Sequence, residues 1–122
     1  MPGIAKLRAV VLDGPDPLAL AEFYRALVGG ELTSVDDDWV SLRDGDDVLL
    51  SFQLADDYQP PDWPNPDRPQ QFHIDVTVED IETAEKQVLA LGARKHPAQP
   101  EEAENWRVYL DPTGHPFCLC WD

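Results

Sequence analysis

The residues of this chain with the types to do chemistry are His73, Asp75 and Cys118, with Ser51, Gln53 and Trp63 as further ligand contacts. An imidazole changes charge near neutral pH, so His73 is the natural proton carrier, or a hydrogen-bonding partner for a ligand carbonyl. Cys118 beside His73 allows two further readings. An adjacent imidazole can activate a thiol as a metal-free nucleophile. His and Cys are also good zinc donors, with Asp75 a weaker third. The plain alternatives are a free Cys acting as a small buried residue and a His satisfied without any role. Trp63 lies in a proline-rich loop, where it either covers a flat ligand or packs as an anchor or dimer contact. His73 is the one catalytic candidate.

Strands and helices must position these groups. The stretch Phe72–Gly92 reads as a strand, a turn at Glu79-Asp80 and a helix ended by Gly92. The same design appears earlier from Ala9 to Gly29, with a strand over Leu7–Asp13 and Asp16-Pro17 opening a helix. Asp16 and Asp80 are N-caps, and Pro17 suits the first helical turn. The first helix carries Leu18, Ala21, Phe23, Leu27 and Val28 at helical spacing. Short strands follow at Glu31–Ser34, Trp39–Arg43 and Asp47–Leu54, with Asp44-Gly45 as a hairpin signal. The later half adds a short strand near Ala93–Lys95 and a hairpin of Trp106–Leu110 and Pro116–Trp121 across Asp111–Gly114. Between the halves, Asp56–Gln71 holds five prolines and reads as a stiff linker.

The halves match at constant offsets: Ala9 with His73 and Asp16 with Asp80, then Trp39 with Trp106, Asp44 with Asp111 and Ser51 with Cys118. Such repetition predicts two copies of one βαβββ unit. Module 1 spans about 5–55, the linker 56–71 and module 2 about 72–122, within one domain. A four-stranded sheet with one helix cannot bury both faces. Two units therefore predict an α+β protein with a curved mixed sheet, helices on its outer face and a cavity on the inner one. Strand alternation puts Phe72, Ile74, Val76 and Val78 under a helix and turns His73, Asp75 and Thr77 inward. The same rule turns Ser51, Gln53, Cys118 and Cys120 inward. A face mixing His, Asp, Ser, Gln and Cys fits a small-molecule cleft. Trp39 and Trp106, as repeat equivalents, read as structural; Asp111 is a turn residue, and Glu101–Glu104 a solvated loop.

Nine basic and 24 acidic residues in 122 give a net charge of −15, which argues against nucleic acid and against anionic membrane surfaces. No apolar run approaches a membrane span, and the first residues lack the apolar core of a signal peptide. The two cysteines share a strand face and suggest no disulfide framework. The expected setting is the bacterial cytoplasm.

The strand with Asp16-Pro17 and LALAEFYRALVGGEL, then FHIDVTVEDIETAEKQVLALGA, then VYLDPTGHPFCL, resembles the vicinal oxygen chelate superfamily, specifically its glyoxalase-like and bleomycin resistance-like branches. The resemblance covers nearly the whole chain. It implies paired βαβββ modules, commonly in a homodimer, in a superfamily known for exchanging modules between chains. In metal-dependent members, one ligand comes from each of the first, fourth, fifth and eighth strands, usually His or Glu. Carried over, these positions are Ala9, Ser51 (or Gln53), His73 and Cys118, of which only His73 keeps the usual type. The resemblance thus implies a metal-free protein with no cofactor that binds a small organic molecule, in the manner of antibiotic resistance by sequestration. The alternative is a lyase, epimerase or dioxygenase with a rearranged divalent-metal site.

Overall fold

The computed structural model describes residues 3–4, 7–62, 64–69 and 72–122. The chain divides into two compact units, residues 1–58 and 59–122. In the first, β1 (Val11–Gly14) leads into α1 (Pro17–Val28), then β2 (Glu31–Thr33), β3 (Trp39–Asp44) and β4 (Asp47–Leu54). The second repeats the order with β5 (Ile74–Thr77), α2 (Ile81–Ala90), β6 (Arg94–Lys95), β7 (Trp106–Leu110) and β8 (Pro116–Cys120). The α+β class and the paired βαβββ plan are as expected. The hydrogen bonds, however, form two four-stranded sheets, β1-β4-β3-β2 and β5-β8-β7-β6, rather than one continuous sheet. In each, the first strand pairs parallel with the last and the remaining pairs are antiparallel.

The registers establish the repeat. Val11, Ser51 and Ser41 form one cross-strand row. Asp75, Cys118 and Val108 form the corresponding row in the second unit. The row beyond pairs Asp13 with Gln53 and Trp39 in one sheet, and Thr77 with Cys120 and Trp106 in the other. Equivalent sequence positions therefore hold equivalent places, each within its own sheet.

Local chemistry opens each helix. The Asp16 carboxylate accepts from Ala19 N at 3.1 Å, ahead of Pro17. Asp80 accepts from Glu82 N at 3.1 Å and from Thr83 Oγ1 at 2.8 Å. Both satisfy amides that have no partner inside the helix. The inward stripe of α1 is Pro17, Leu20, Ala21 and Tyr24, joined by Phe23. Leu18 and Val28, expected on that face, are exposed, because the stripe runs from the buried Pro17. Tyr24 stacks on Phe52 with ring centroids 5.7 Å apart, and Val40, Leu42 and Leu50 are buried as well.

The helix α2 buries only Ala84 and Val88. A large buried apolar side chain contributes roughly 1.5–3 kcal/mol, so apolar burial holds α2 less firmly than α1. A polar cluster adds to its hold. Glu85 accepts from the Tyr109 hydroxyl at 2.8 Å and pairs with Lys95 at 3.0 Å and Arg107 at 3.4 Å. Arg107 also meets Glu82 at 2.7 Å.

Strands β1 and β5 start later than their apolar patterns predict. The first contact in the β1 ladder is Ser51 N donating to Val10 O at 2.9 Å. Phe72, expected beneath the second helix, is 82% exposed and precedes β5. The proline-rich stretch from Gln59 belongs to the second unit. Its Pro60 lies against the turn between β7 and β8. There the fully buried Asp111 accepts on Oδ1 from the amides of Thr113, Gly114 and His115 at 2.8–3.0 Å. Its Oδ2 lies 2.9 Å from His115 Nδ1. Gly114 has φ +102, and a Cβ there would come within 2.7 Å of Pro60 Cβ, so only glycine permits this approach.

Candidate functional site

The helix-free face of the second sheet carries the site. Asp75 on β5 and Cys118 on β8 are paired in register and project to the same side, opposite the helix-side set of Val76, Phe117 and Leu119. His73 lies two residues before Asp75, just outside the strand, so alternation puts it on the same side. Its Nε2 is 3.1 Å from Asp75 Oδ1. One donor atom from each of His73, Asp75 and Cys118 can be chosen such that all lie within 4.8 Å of one another. His73 and Asp75 are exposed, while Cys118 is buried at the floor.

These residues line a cleft of about 510 Å³, together with Asn105, Trp106, Val108, Pro116 and Cys120. Asn105 fixes one end: its side chain donates to Trp121 O at 2.8 Å, and its carbonyl accepts from Trp121 N at 3.0 Å. Gln99 holds the middle strand, accepting from Val108 N at 2.9 Å and donating to Val108 O at 2.6 Å. The Gln99 side-chain amide thereby extends the ladder just past the end of β6, where His96 N also donates to Val108 O at 3.1 Å.

Electrostatics decide between the uses of Cys118. Burial first, then the negative charge of Asp75 and a hydrogen bond to it, push the thiol up to about 12. Burial and Asp75 push Cys120 upward as well. A thiol held that high is protonated at neutral pH and is no nucleophile. The metal-free thiolate pair with His73 is therefore disfavoured, and the His73 ring faces a carboxylate instead.

Of the expected ligand contacts, the structure brings together His73, Asp75 and Cys118. Ser51 is 2% exposed in the first unit, and its hydroxyl lies 3.2 Å from Ser41 Oγ, which accepts from the Trp39 indole at 3.1 Å. Gln53 is exposed at the end of β4, and Ala9 is half-buried before β1. Trp63 lies outside the described residues. Trp106, read as structural, lines the cleft, and so does Asn105, which sequence reasoning missed. Alternation from Cys118 and Cys120 gives the signal for Trp106, since Trp106 is the register partner of Cys120.

The four-ligand arrangement implied by the resemblance does not fit. Ala9 has no donor atom, and the Ser51 hydroxyl is buried against another hydroxyl. What can hold an ion among the described residues is the His73, Asp75, Cys118 group, which offers one nitrogen, one oxygen and one sulfur.

Comparison with known proteins agrees with this architecture. A structure of a glyoxalase/bleomycin resistance protein/dioxygenase family enzyme from Burkholderia phytofirmans is similar at 18% identity and TM-score 0.71, covering 96% of this chain and 98% of that one. A possible glyoxalase from Bacillus cereus gives 18% and 0.67, over 94% and 97%. Fosfomycin resistance protein FosX from Mesorhizobium loti gives 15% and 0.69, over 98% and 94%. No curated protein matches. The profile of the glyoxalase-like domain family matches residues 9–120, and the chain belongs to that family.

Proposed function

We propose that this protein binds a small organic molecule in the cleft of its second unit, without the four-ligand metal centre of metal-dependent relatives. The observation that carries this reading is the cleft itself, which is large enough for a drug-sized guest. Trp106 supplies an aromatic wall, Asp75 a negative charge, and His73 and Asn105 polar contacts. That lining favours a flat guest bearing a positive charge, and the net charge of −15 is compatible with one. Sequestration of a natural product or drug is the concrete form. In its support, the similar structures include an enzyme of the glyoxalase/bleomycin resistance protein/dioxygenase family and a fosfomycin resistance protein. The reading includes a cytoplasmic homodimer. Among the described residues no helix is long and apolar enough to cross a membrane.

The test is tryptophan fluorescence of EDTA-treated protein titrated with bleomycin and with a planar cationic dye. Saturable quenching is expected, with the signal reduced by Trp106→Phe. Asp75→Asn should weaken affinity about tenfold, the loss of one charge-assisted contact of about 1.5 kcal/mol. Absence of saturation with both compounds, or unchanged affinity in Asp75→Asn, would refute the reading. The contact between His73 and Asp75 favours one alternative, an enzyme with a rearranged metal site, in which His73 moves a proton. Stoichiometric metal in the purified protein together with turnover of a glyoxalase-type substrate would establish it.

A further inference from the structure

We infer that the second unit alone holds a thiophilic divalent ion of the zinc class, on His73 Nε2, an Asp75 carboxylate oxygen and Cys118 Sγ. This departs from the arrangement the family resemblance implies, which draws one ligand from each of β1, β4, β5 and β8. Here two of those donors are missing, and two donors come from neighbouring same-side positions of one segment, at His73 and Asp75.

The geometry suits one small ion. Bond lengths of about 2.0–2.3 Å in a tetrahedral zinc site place its ligand atoms about 3.3–3.6 Å apart. His73 Nε2 and Asp75 Oδ1 are already 3.1 Å apart. The three donors lie within 4.8 Å of one another, so shifts of about 1 Å complete the set. His73 and Asp75 are exposed side chains free to make such a shift, and Cys118 is fixed on a strand beneath them. On binding, the Sγ–metal bond forms and the thiol proton passes to solvent. The sulfur selects a soft or borderline ion over magnesium or calcium, which prefer oxygen ligands. Three protein ligands leave a fourth position facing the cleft, where water or a guest can sit. Cys120 is half-buried beside Thr77 and Trp106, one row further along, and is not needed.

The ion takes the Asp75 carboxylate and the His73 nitrogen that a cationic guest uses in metal-stripped protein, so the two compete. The test for the ion is therefore run without any guest, separately from that of small-molecule binding. Metal-stripped protein is titrated with Co²⁺, which reports thiolate ligation by a ligand-to-metal charge-transfer band. The expected result is a band saturating at one ion per chain and lost on adding Zn²⁺, which takes the site. Cys118→Ser should abolish the band, with folding checked by circular dichroism. His73→Gln, at an exposed position, should weaken binding by about tenfold or more. Cys120→Ser should change neither band nor affinity. A wild-type protein without the band, or a band that survives Cys118→Ser, overturns the assignment.

Discussion

Cys118 shows how burial, and then one charged neighbour, set the chemistry of a side chain. Its thiol is lifted from an ordinary 9.0 to about 12 by burial and by Asp75. The folded value is raised, so the stabilisation from keeping the thiol neutral is complete below about pH 9 and disappears as pH climbs towards 12. The reactivity of metal-stripped protein should follow the same course. In a Cys120→Ala background, the alkylation rate at Cys118 should keep rising through pH 11. Asp75→Asn removes the repelling charge and should accelerate alkylation at every pH below that. A wild-type rate that levels off near pH 9, or no acceleration in Asp75→Asn, would show that the carboxylate does not govern the thiol. At this scale the sequence was legible where a strand's two-residue period applies, which linked His73, Asp75 and Cys118. It was less legible for Trp106. The repeat matched Trp106 with Trp39, but Trp39 gives its indole N–H to Ser41, whereas the residue equivalent to Ser41 is Val108, with no hydroxyl. Equivalence of position did not carry equivalence of hydrogen bonding.

At the scale of elements, α2 illustrates how a helix with little apolar burial is retained. Glu85 gathers Tyr109, Lys95 and Arg107, and those partners hold its carboxylate below the usual range although burial pushes the other way. The folded value is depressed, so this contribution is present above the ordinary 4.5 and fades as pH falls through the folded value. Ion pairs at exposed sites contribute about 0–1 kcal/mol. Glu85 is different because its side chain is 18% exposed and it accepts from the buried Tyr109 hydroxyl. Glu85→Ala leaves that hydroxyl without its acceptor and should cost about 1–3 kcal/mol in urea unfolding. Lys95→Ala, which removes only an exposed partner, should cost less than about 1 kcal/mol. Equal losses in the two variants would place the stabilisation in charge pairing and not in the buried hydroxyl. Boundaries of β4 and β7 were legible because both neighbours of each strand lie in patterned sequence. The starts of β1 and β5 were not: apolar residues such as Leu7 and Phe72 extend the pattern beyond the ladder and stay exposed. Hydropathy marks what a strand could bury, and hydrogen-bonded partners decide where it begins.

For the whole molecule, the duplication carries the widest consequence, because two units of equal plan bear unequal chemistry. The row His73, Asp75, Cys118 corresponds to Ala9, Val11, Ser51, in which no side chain is a good metal donor. The fold was legible because the repeat is written in caps, turns and strand periods. The ligand was not, because guest identity depends on a few side chains that architecture does not constrain. This asymmetry permits a direct test of how far structural equivalence extends. Ala9→His, Val11→Asp and Ser51→Cys together transfer the donor set of the second unit onto the register row of the first. Val11 and Ser51 are paired as Asp75 and Cys118 are, so the transferred groups start from matching backbone positions. Cys at position 51 gives up one hydroxyl contact with Ser41, a cost of about 1 kcal/mol. If backbone register is enough to build the site, the triple variant should bind a second equivalent of Co²⁺ with its own charge-transfer band, and that band should persist when Cys118→Ser is added. A folded triple variant that still binds one ion would show that the second unit contributes something beyond register, with Asn105 and Trp106 at the cleft wall the first residues to transfer next.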